Sequence, residues 1–290
     1  MPELPEVETV RIGLSQLIVG KTIQSKTSDT EKSFPNAPAD VQAFLLGARV
    51  TAVKRRAKVL LIELSSKYSL VIHLKMTGQM VFVSPEARFG AGHPNDSLIH
   101  QLPDKSTRVE FTFADNSKLF FNDQRKFGWV KLIPTAEVPN IDFMKKVGPE
   151  PLDASFTAEA FTARFQRRKN TTIKAAILDQ TVVAGVGNIY ADESLWGAKI
   201  HPSTLVKNVS QAQFARLFTE LQYVLNLSIQ KGGSSDKNYV NAEGKKGSYL
   251  SFARVFRREG QACPRCGTVI EKLRVAGRGT HVCPHCQKLR

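Results

Sequence analysis

The chain has 290 residues, 42% of them hydrophobic, and no apolar run approaches the ~20 residues that a membrane-spanning helix needs. Its opening lacks the charged-then-apolar pattern of a secretory signal, so a cytoplasmic protein with chain enough for two cores is expected, acting away from any membrane. Lys and Arg number 41 against 26 Asp and Glu, a net charge of +15, and residues 231–290 alone hold 13 basic and 4 acidic side chains; charge concentrated in this way points to a polyanion, nucleic acid by default.

The chain begins "MPELPEVETV". Removal of the initiator Met leaves Pro2 with a free secondary amine. Two readings fit. Pro5 and the acidic residues suit a helix entrance, or the terminal amine is itself a reagent. Leu4, Val7, Val10, Leu14 and Leu17 form a helical stripe over residues 4–18. Next come the short β-branched or aromatic stretches "RVTAV", "KVLLIEL", "SLVIHLKM", "QMVFVS", "RVEFTFA" and "KLFFND", parted by turn residues such as Ser65-Ser66 and Asp115-Asn116. They predict a β-sandwich or barrel with the helix packed against it and an exposed loop over 85–105. Lys58, in "VKRRAKVLLIEL", stands at the entrance of a strand. It either snorkels to solvent or, held near a reacting group, moves a proton. Met76 in "HLKMTGQM" and Arg125 and Phe127 in "NDQRKFGW" lie just past strands. Met and Phe there are core residues or an apolar wedge that enters a base stack, with the Arg filling the space of an extruded base.

"VGPEPLD" at 147–153 reads as a linker. Helical patterns follow over 157–168, 171–179, 187–196 and 210–230. Gly185 and Gly187 precede a helix that starts near Asn188, where backbone N–H groups can meet a phosphate. "QKGGSSDKNYVNAEGKKGSY" is too polar and glycine-rich to pack, and a loop of that length is functional or disordered. The four cysteines come last: Cys263-x2-Cys266, then 16 residues, then Cys283-x2-Cys286. A hairpin of "TVIEKLRV", the turn "AGRG" and "THVC" would bring them together around a tetrahedral zinc ion. Two disulfides are the weaker reading in a reducing compartment. Four thiolates leave no open coordination position, so the one Zn2+ is structural, and His281 and His285 are bystanders. Arg278, between Gly277 and Gly279, is either a solvated turn residue or close enough to grip a phosphate backbone.

Taken together, "PELPEVET", "RRAK" at 55–58, "HLKMTG", "DQRKFG", "VGPEPL", "ILDQTVVAGVGNIYADE", "GGSS…YVNAEGKKGSY" and "GRGTHVCPHC" resemble, in order and spacing over nearly the whole chain, the bacterial formamidopyrimidine-DNA glycosylases. The resemblance implies an α+β multidomain protein: an N-terminal β-sandwich with flanking helices, then a C-terminal helix-two-turns-helix and a zinc-finger hairpin, with damaged double-stranded DNA lying between. The implied divisions are 1–146 for the catalytic domain, 147–153 for the linker, 154–230 for the helix-two-turns-helix, 231–252 for a lesion-covering loop and connector, and 253–290 for the zinc finger. The implied activity is removal of oxidised purines such as 8-oxoguanine, followed by strand nicking by β,δ-elimination, in a monomer with no redox or nucleotide cofactor.

Carried over residue by residue, the resemblance makes Pro2 the nucleophile, Glu3 its neighbouring acid and Glu6 the support of the terminus. Lys58 would meet the phosphates and the lesion-side sugar. Met76, Arg125 and Phe127 would fill the gap left by the flipped nucleotide. Asn188, with Lys169 nearby, would bind phosphate, and Arg278 would grip the phosphates flanking the lesion and assist the last elimination. The loop 231–249 would cover the everted base. One departure shows: Ser106 in "DKSTRVEF" stands where the family has a phosphate-binding His, and its hydroxyl can still donate to a DNA phosphate. Two rivals remain, an endonuclease-VIII-like glycosylase for oxidised pyrimidines and a non-catalytic zinc-finger DNA-binding protein. The former usually opens Pro-Glu-Gly-Pro-Glu, and the intact Pro2, Glu3 and Lys58 argue against the latter.

Overall fold

Residues 1–234 and 249–289 are described by the computed structural model. They divide into a first unit of Met1–Lys145 joined by residues 231–234, and a second of Lys146–Gln230 with residues 249–289. Among the described residues no helix is long and apolar enough to cross a membrane.

The first unit starts with the expected helix, Leu4–Ile18. Pro5 sits in its first turn, where no N–H is needed, and Leu4, Val7, Val10 and Leu14 are fully buried on one face. Nine strands follow: β1 Ile23–Ser28, β2 Val50–Arg56, β3 Val59–Leu64, β4 Tyr68–His73, β5 Gly78–Val83, β6 Arg88–Gly92, β7 Thr107–Phe113, β8 Lys118–Asp123 and β9 Trp129–Pro134. They form two sheets, ordered β1-β7-β8-β5-β6 and β2-β3-β4-β9. No strand is shared, so this is a sandwich and not a closed barrel. Its core interleaves Phe82, Phe89, Phe111 and Phe121 of one sheet with Leu60, Ile62, Leu70 and Ile72 of the other, and the helix adds Val7, Val10 and Leu14. The outer faces are also partly covered. Val138 packs on Val59 and Val71, and Leu98 packs on Val81 and Phe120. Burial on both faces is why "VLLIEL" and "MVFV" read as continuous apolar runs without alternation.

The exposed loop expected at 85–105 is a correction. Residues 88–92 form strand β6, with Phe89 to Gly92 buried, and Asp96–Leu98 make a 3-10 turn. "RFGAG" hides the strand because two glycines erase its pattern. Gly90 is needed there, since a Cβ would lie 3.0 Å from the Leu98 side chain.

The second unit holds the helices Ala158–Phe165, Ile173–Leu178, Asn188–Gly197 and Gln211–Gln230 and the hairpin β10 Glu271–Val275 and β11 Arg278–Val282. Thr157 and Thr172 cap two of these helices through N–H bonds from Ala160 and Ala175, both 3.2 Å. Phe161, Phe165, Ile177, Tyr190, Leu195, Leu217 and Leu221 fill its core. The stretch read as a linker hydrogen-bonds into this unit: Gly148 N–H reaches Gln180 O at 2.7 Å, and Ala184 N–H reaches Pro149 O at 2.9 Å.

Helix Leu4–Ile18 meets the sheet closely at Gly13, where a Cβ would lie 2.2 Å from Cζ of the buried Phe89. Gly13→Ala gains ~1 kcal/mol of helix propensity, yet overpacking costs about 1–3 kcal/mol. The variant is expected to unfold at lower urea concentration than the wild type, measured by the midpoint at constant slope; a higher midpoint would refute this packing.

Candidate active site and cysteine cluster

The first residues of the chain are clamped. Pro2 is buried, and Glu3 and Glu6 are only 4% and 5% exposed. Glu3 N–H donates to Glu6 Oε2 at 2.8 Å in a capping arrangement, and the other Glu6 oxygen accepts Ser234 N–H at 2.9 Å. One carboxylate therefore ties the residue after Pro2 to the chain at 234. Gly233, at φ +90°, packs 3.4 Å from Glu6 Oε1 by the position of its missing Cβ. Burial, and after it the positive amine of Met1, depress the His93 pKa, while Asp123 opposes them.

Lys58 sits in a two-residue turn between β2 and β3, after Ala57 in the left-handed region at φ 52°. It is 5% exposed, so it does not snorkel. The turn is pinned to the N-terminal helix: Arg55 Nε donates to Glu8 Oε2 at 2.9 Å, and Arg55 Nη1 to Ala57 O at 2.9 Å. His73 pairs with Val59, the residue after Lys58. Burial, then Lys75 and Lys58, push the His73 pKa down to about 3, so its ring is neutral at physiological pH. Its Nδ1 accepts Lys75 N–H at 3.0 Å, which leaves Nε2 as the donor. Sequence reasoning missed His73 and the Glu8–Arg55 clamp, because only the β3–β4 register and the helix–hairpin contact reveal them.

Met76, Arg125 and Phe127 lie on two loops of this unit. Met76 is half-buried, Arg125 exposed and Phe127 49% exposed, which removes Phe127 from the core. The Arg125 guanidinium stands over the Phe127 ring, 5.0 Å from its centroid. Ser106 is buried. Its hydroxyl lies 2.6 Å from Asp104 Oδ1 and 3.0 Å from Ser97 Oγ, in the lining of a cavity of about 570 Å³ that Lys105 and Arg108 also line.

In the second unit, Lys169 is exposed and Asn188 opens the helix Asn188–Gly197. Asn188 Nδ2 donates to Gly279 O at 2.9 Å, and its Oδ1 is buried with no hydrogen-bond partner among the described residues. The turn expected at "AGRG" is tighter than that. Ala276 and Gly277, both at positive φ, make it, and exposed Arg278 is the first residue of β11, opposite Val275. Two acids in "YADES", unremarked in the sequence, hold this region. Asp192 pairs with fully buried Lys174 and accepts His281 N–H at 2.9 Å. Glu193 accepts the N–H groups of Arg254, Val255 and Phe256 at 2.9–3.0 Å. His281 is thus bonded to Asp192 through its backbone, with Nδ1 3.1 Å from the same oxygen.

The sulfurs of Cys263, Cys266, Cys283 and Cys286 lie within 4.8 Å of one another, and none is in a disulfide. Cys266 and Cys283 are 3.5 Å apart, close to the about 3.8 Å edge of a tetrahedron with 2.3 Å Zn–S bonds. Burial pushes the Cys283 thiol up to about 12, and a coordinated cation offsets that by holding the thiolate. The donor set fits one structural zinc ion.

Comparison with known proteins agrees with this geometry. Residues 1–130 match the formamidopyrimidine-DNA glycosylase N-terminal domain, 147–239 the formamidopyrimidine-DNA glycosylase H2TH domain, and 260–289 the zinc finger found in FPG and IleRS. A formamidopyrimidine-DNA glycosylase of Latilactobacillus sakei is 40% identical over 99% of this chain and 98% of its own. That of Pediococcus pentosaceus is 39% identical over 100% of both chains. Among solved structures, Lactococcus lactis Fpg in complex with abasic-site DNA has a TM-score of 0.86 at 35% identity and 99% coverage of each chain. The wild-type L. lactis protein with DNA containing an oxidised pyrimidine has a TM-score of 0.85 at 34% identity, covering 99% of this chain and 100% of that one.

Cys266→Ser is expected to lose zinc on dialysis, read as metal per chain, while keeping most of the β signal in circular dichroism. Full retention of one zinc per chain would overturn the four-cysteine assignment.

Proposed function

The chain belongs to the formamidopyrimidine-DNA glycosylase family, and from that premise we propose that it excises oxidised purines such as 8-oxoguanine from duplex DNA and then nicks the strand by β,δ-elimination. The observation that carries the proposal is the N-terminus itself: a proline next to two buried carboxylates, clamped through Glu6, on a helix that Glu8 and Arg55 pin to the turn bearing buried Lys58. A mobile terminus would need none of this.

With Met1 removed, Pro2 is a secondary amine, and a terminal amine has a reference pKa of about 7.7–8.0, so a useful neutral fraction exists near pH 7. Its nitrogen attacks C1′ of the lesion nucleotide as the damaged base departs. Glu3 protonates the ring oxygen as the sugar opens, and an iminium ion remains on Pro2. The iminium acidifies C2′, so loss of that proton expels the 3′ phosphate. A second proton loss, from C4′, expels the 5′ phosphate, and water then frees the sugar fragment from Pro2. Lys58 and the neutral Nε2–H of His73 are suited to hold the phosphates beside the sugar. Extruding the base costs a few kcal/mol. Met76, Arg125 and Phe127 offset it by occupying the vacated stack. In the second unit, Lys169, Asn188 and Arg278 would bind phosphates, with Arg278 also assisting the last elimination. Ser106, its hydroxyl engaged by Asp104, is poorly placed to replace the family's His at a phosphate. The loop 231–249 would cover the everted base, but residues 235–248 lie outside the described residues.

Borohydride reduction of the iminium is expected to cross-link wild-type protein to duplex carrying 8-oxoguanine, with peptide mapping placing the adduct on Pro2. An N-terminal tag should abolish both trapping and base excision. An adduct on Lys58, or normal trapping by the tagged protein, would sink the proposal. A parallel duplex with thymine glycol tests the pyrimidine alternative.

Binding should weaken steeply with salt, because each neutralised phosphate releases counterions. Arg278→Ala is expected to lower affinity and to flatten the slope of log K against log salt by about one unit. An unchanged slope would remove Arg278 from the DNA backbone.

A further inference from the structure

Asp123 ends β8, is fully buried, and spends its carboxylate on loop backbone and one hydroxyl. Oδ1 accepts the Thr77 hydroxyl and, at 3.2 Å, Arg125 N–H. Oδ2 accepts Phe127 N–H at 2.8 Å and Gly128 N–H at 2.6 Å. Thr77 Oγ1 in turn accepts Arg125 N–H at 3.0 Å. One carboxylate thus closes the loop of Arg125 and Phe127 and ties it to the residue after Met76. We propose that Asp123 is the positioning residue of the wedge: it sets both loops so that Met76, Arg125 and Phe127 enter the base stack together. The proposal rests on the glycosylase reading above.

Three further observations support it. The main chain of Asp123 is itself immobilised, its N–H on Ser106 O and its C=O accepting Arg108 Nε, both at 2.8 Å, and it pairs with Gly78 across β5 and β8. Lys75 and Lys126, each immediately before a wedge residue, hold left-handed φ of 50° and 56°. Non-glycine residues keep such conformations only where the surroundings over-determine them: the Asp123 bonds to Arg125, Phe127 and Gly128 bracket Lys126, and the Thr77 bond to Asp123 joins the His73 Nδ1 bond to Lys75 N–H in fixing the other loop. Gly128 lets its N–H come in close, since a Cβ there would lie 2.6 Å from the Phe121 ring and 3.1 Å from Asp123 Oδ2. Phe127 has little packing of its own, so its backbone must bear the load when a ring is driven between bases.

The test is Asp123→Asn, which turns one acceptor into a donor facing N–H groups, with Thr77→Val as a milder partner that cuts only the link between loops. Each is compared with wild type in three measurements: single-turnover excision of 8-oxoguanine from duplex, nicking of a preformed abasic-site duplex, and emission of 2-aminopurine placed opposite the lesion, which rises on unstacking. Excision is expected to fall about tenfold to a hundredfold in Asp123→Asn, as ångström-scale misplacement does. Abasic-site nicking should fall far less, the 2-aminopurine rise should be lost, and Thr77→Val should shift all three in the same direction by less. Equal loss on both substrates, or a wild-type 2-aminopurine rise in both variants, would overturn the proposal. If wild type neither excises nor nicks, the glycosylase reading fails instead, and the fluorescence comparison, which needs no turnover, still decides whether Asp123 sets the wedge.

Discussion

A chain terminus is ordinarily the least ordered part of a domain, and the chemistry proposed for this protein requires the opposite. The Glu6 carboxylate resolves the conflict. It accepts the Glu3 N–H and the Ser234 N–H from a position in the first helical turn, where negative charge also complements the helix dipole. Leu4, Val7 and Val10 bury the helix behind it. Pro2, ahead of Glu3, is thereby joined to a fixed and buried stretch of chain. Lys58 shares that frame, because Arg55 links its turn to Glu8 on the same helix.

The same device recurs. Glu6, Asp123 and Glu193 are buried carboxylates whose partners include main-chain N–H groups of segments outside regular helices and strands. A buried carboxylate is costly unless its lone pairs are filled, so it tolerates one loop conformation and penalises the others. Exposed functional side chains can then be held in place without being buried. Phe127 illustrates it, being half-exposed on a backbone that Asp123 fixes.

The cysteine hairpin solves a different problem. Its own apolar contacts are few: Trp196, Val255, Ile270 and two of the cysteines form its cluster. So small a core does not hold a fold, and a metal supplies what burial cannot. The Lys174–Asp192–His281 group and the Asn188–Gly279 bond then fasten the hairpin to the helix beside it, so that Arg278 and Asn188 belong to one rigid piece. A buried ion pair contributes little net stability, and orientation is the better account of its presence here.

Local spacing determined much of this by itself. The helix at 4–18, most strands, four helices of the second unit and the zinc ligands were legible because period, turn chemistry and Cys-x2-Cys spacing act over a few residues. The family could be read as well, since its motifs are short and ordered along the chain. Tertiary structure alone decided the rest. Strand β6 was hidden by its glycines, and Arg278 moved from a turn into a strand because Ala276 and Gly277 suffice for the turn. Whether Lys58 was buried or snorkelling depended on a helix some fifty residues away in the chain. The carboxylates that set the loops looked like ordinary strand ends or helix polar residues. Their partners are distant N–H groups, and a hydrogen bond between segments remote in sequence has no periodicity to betray it.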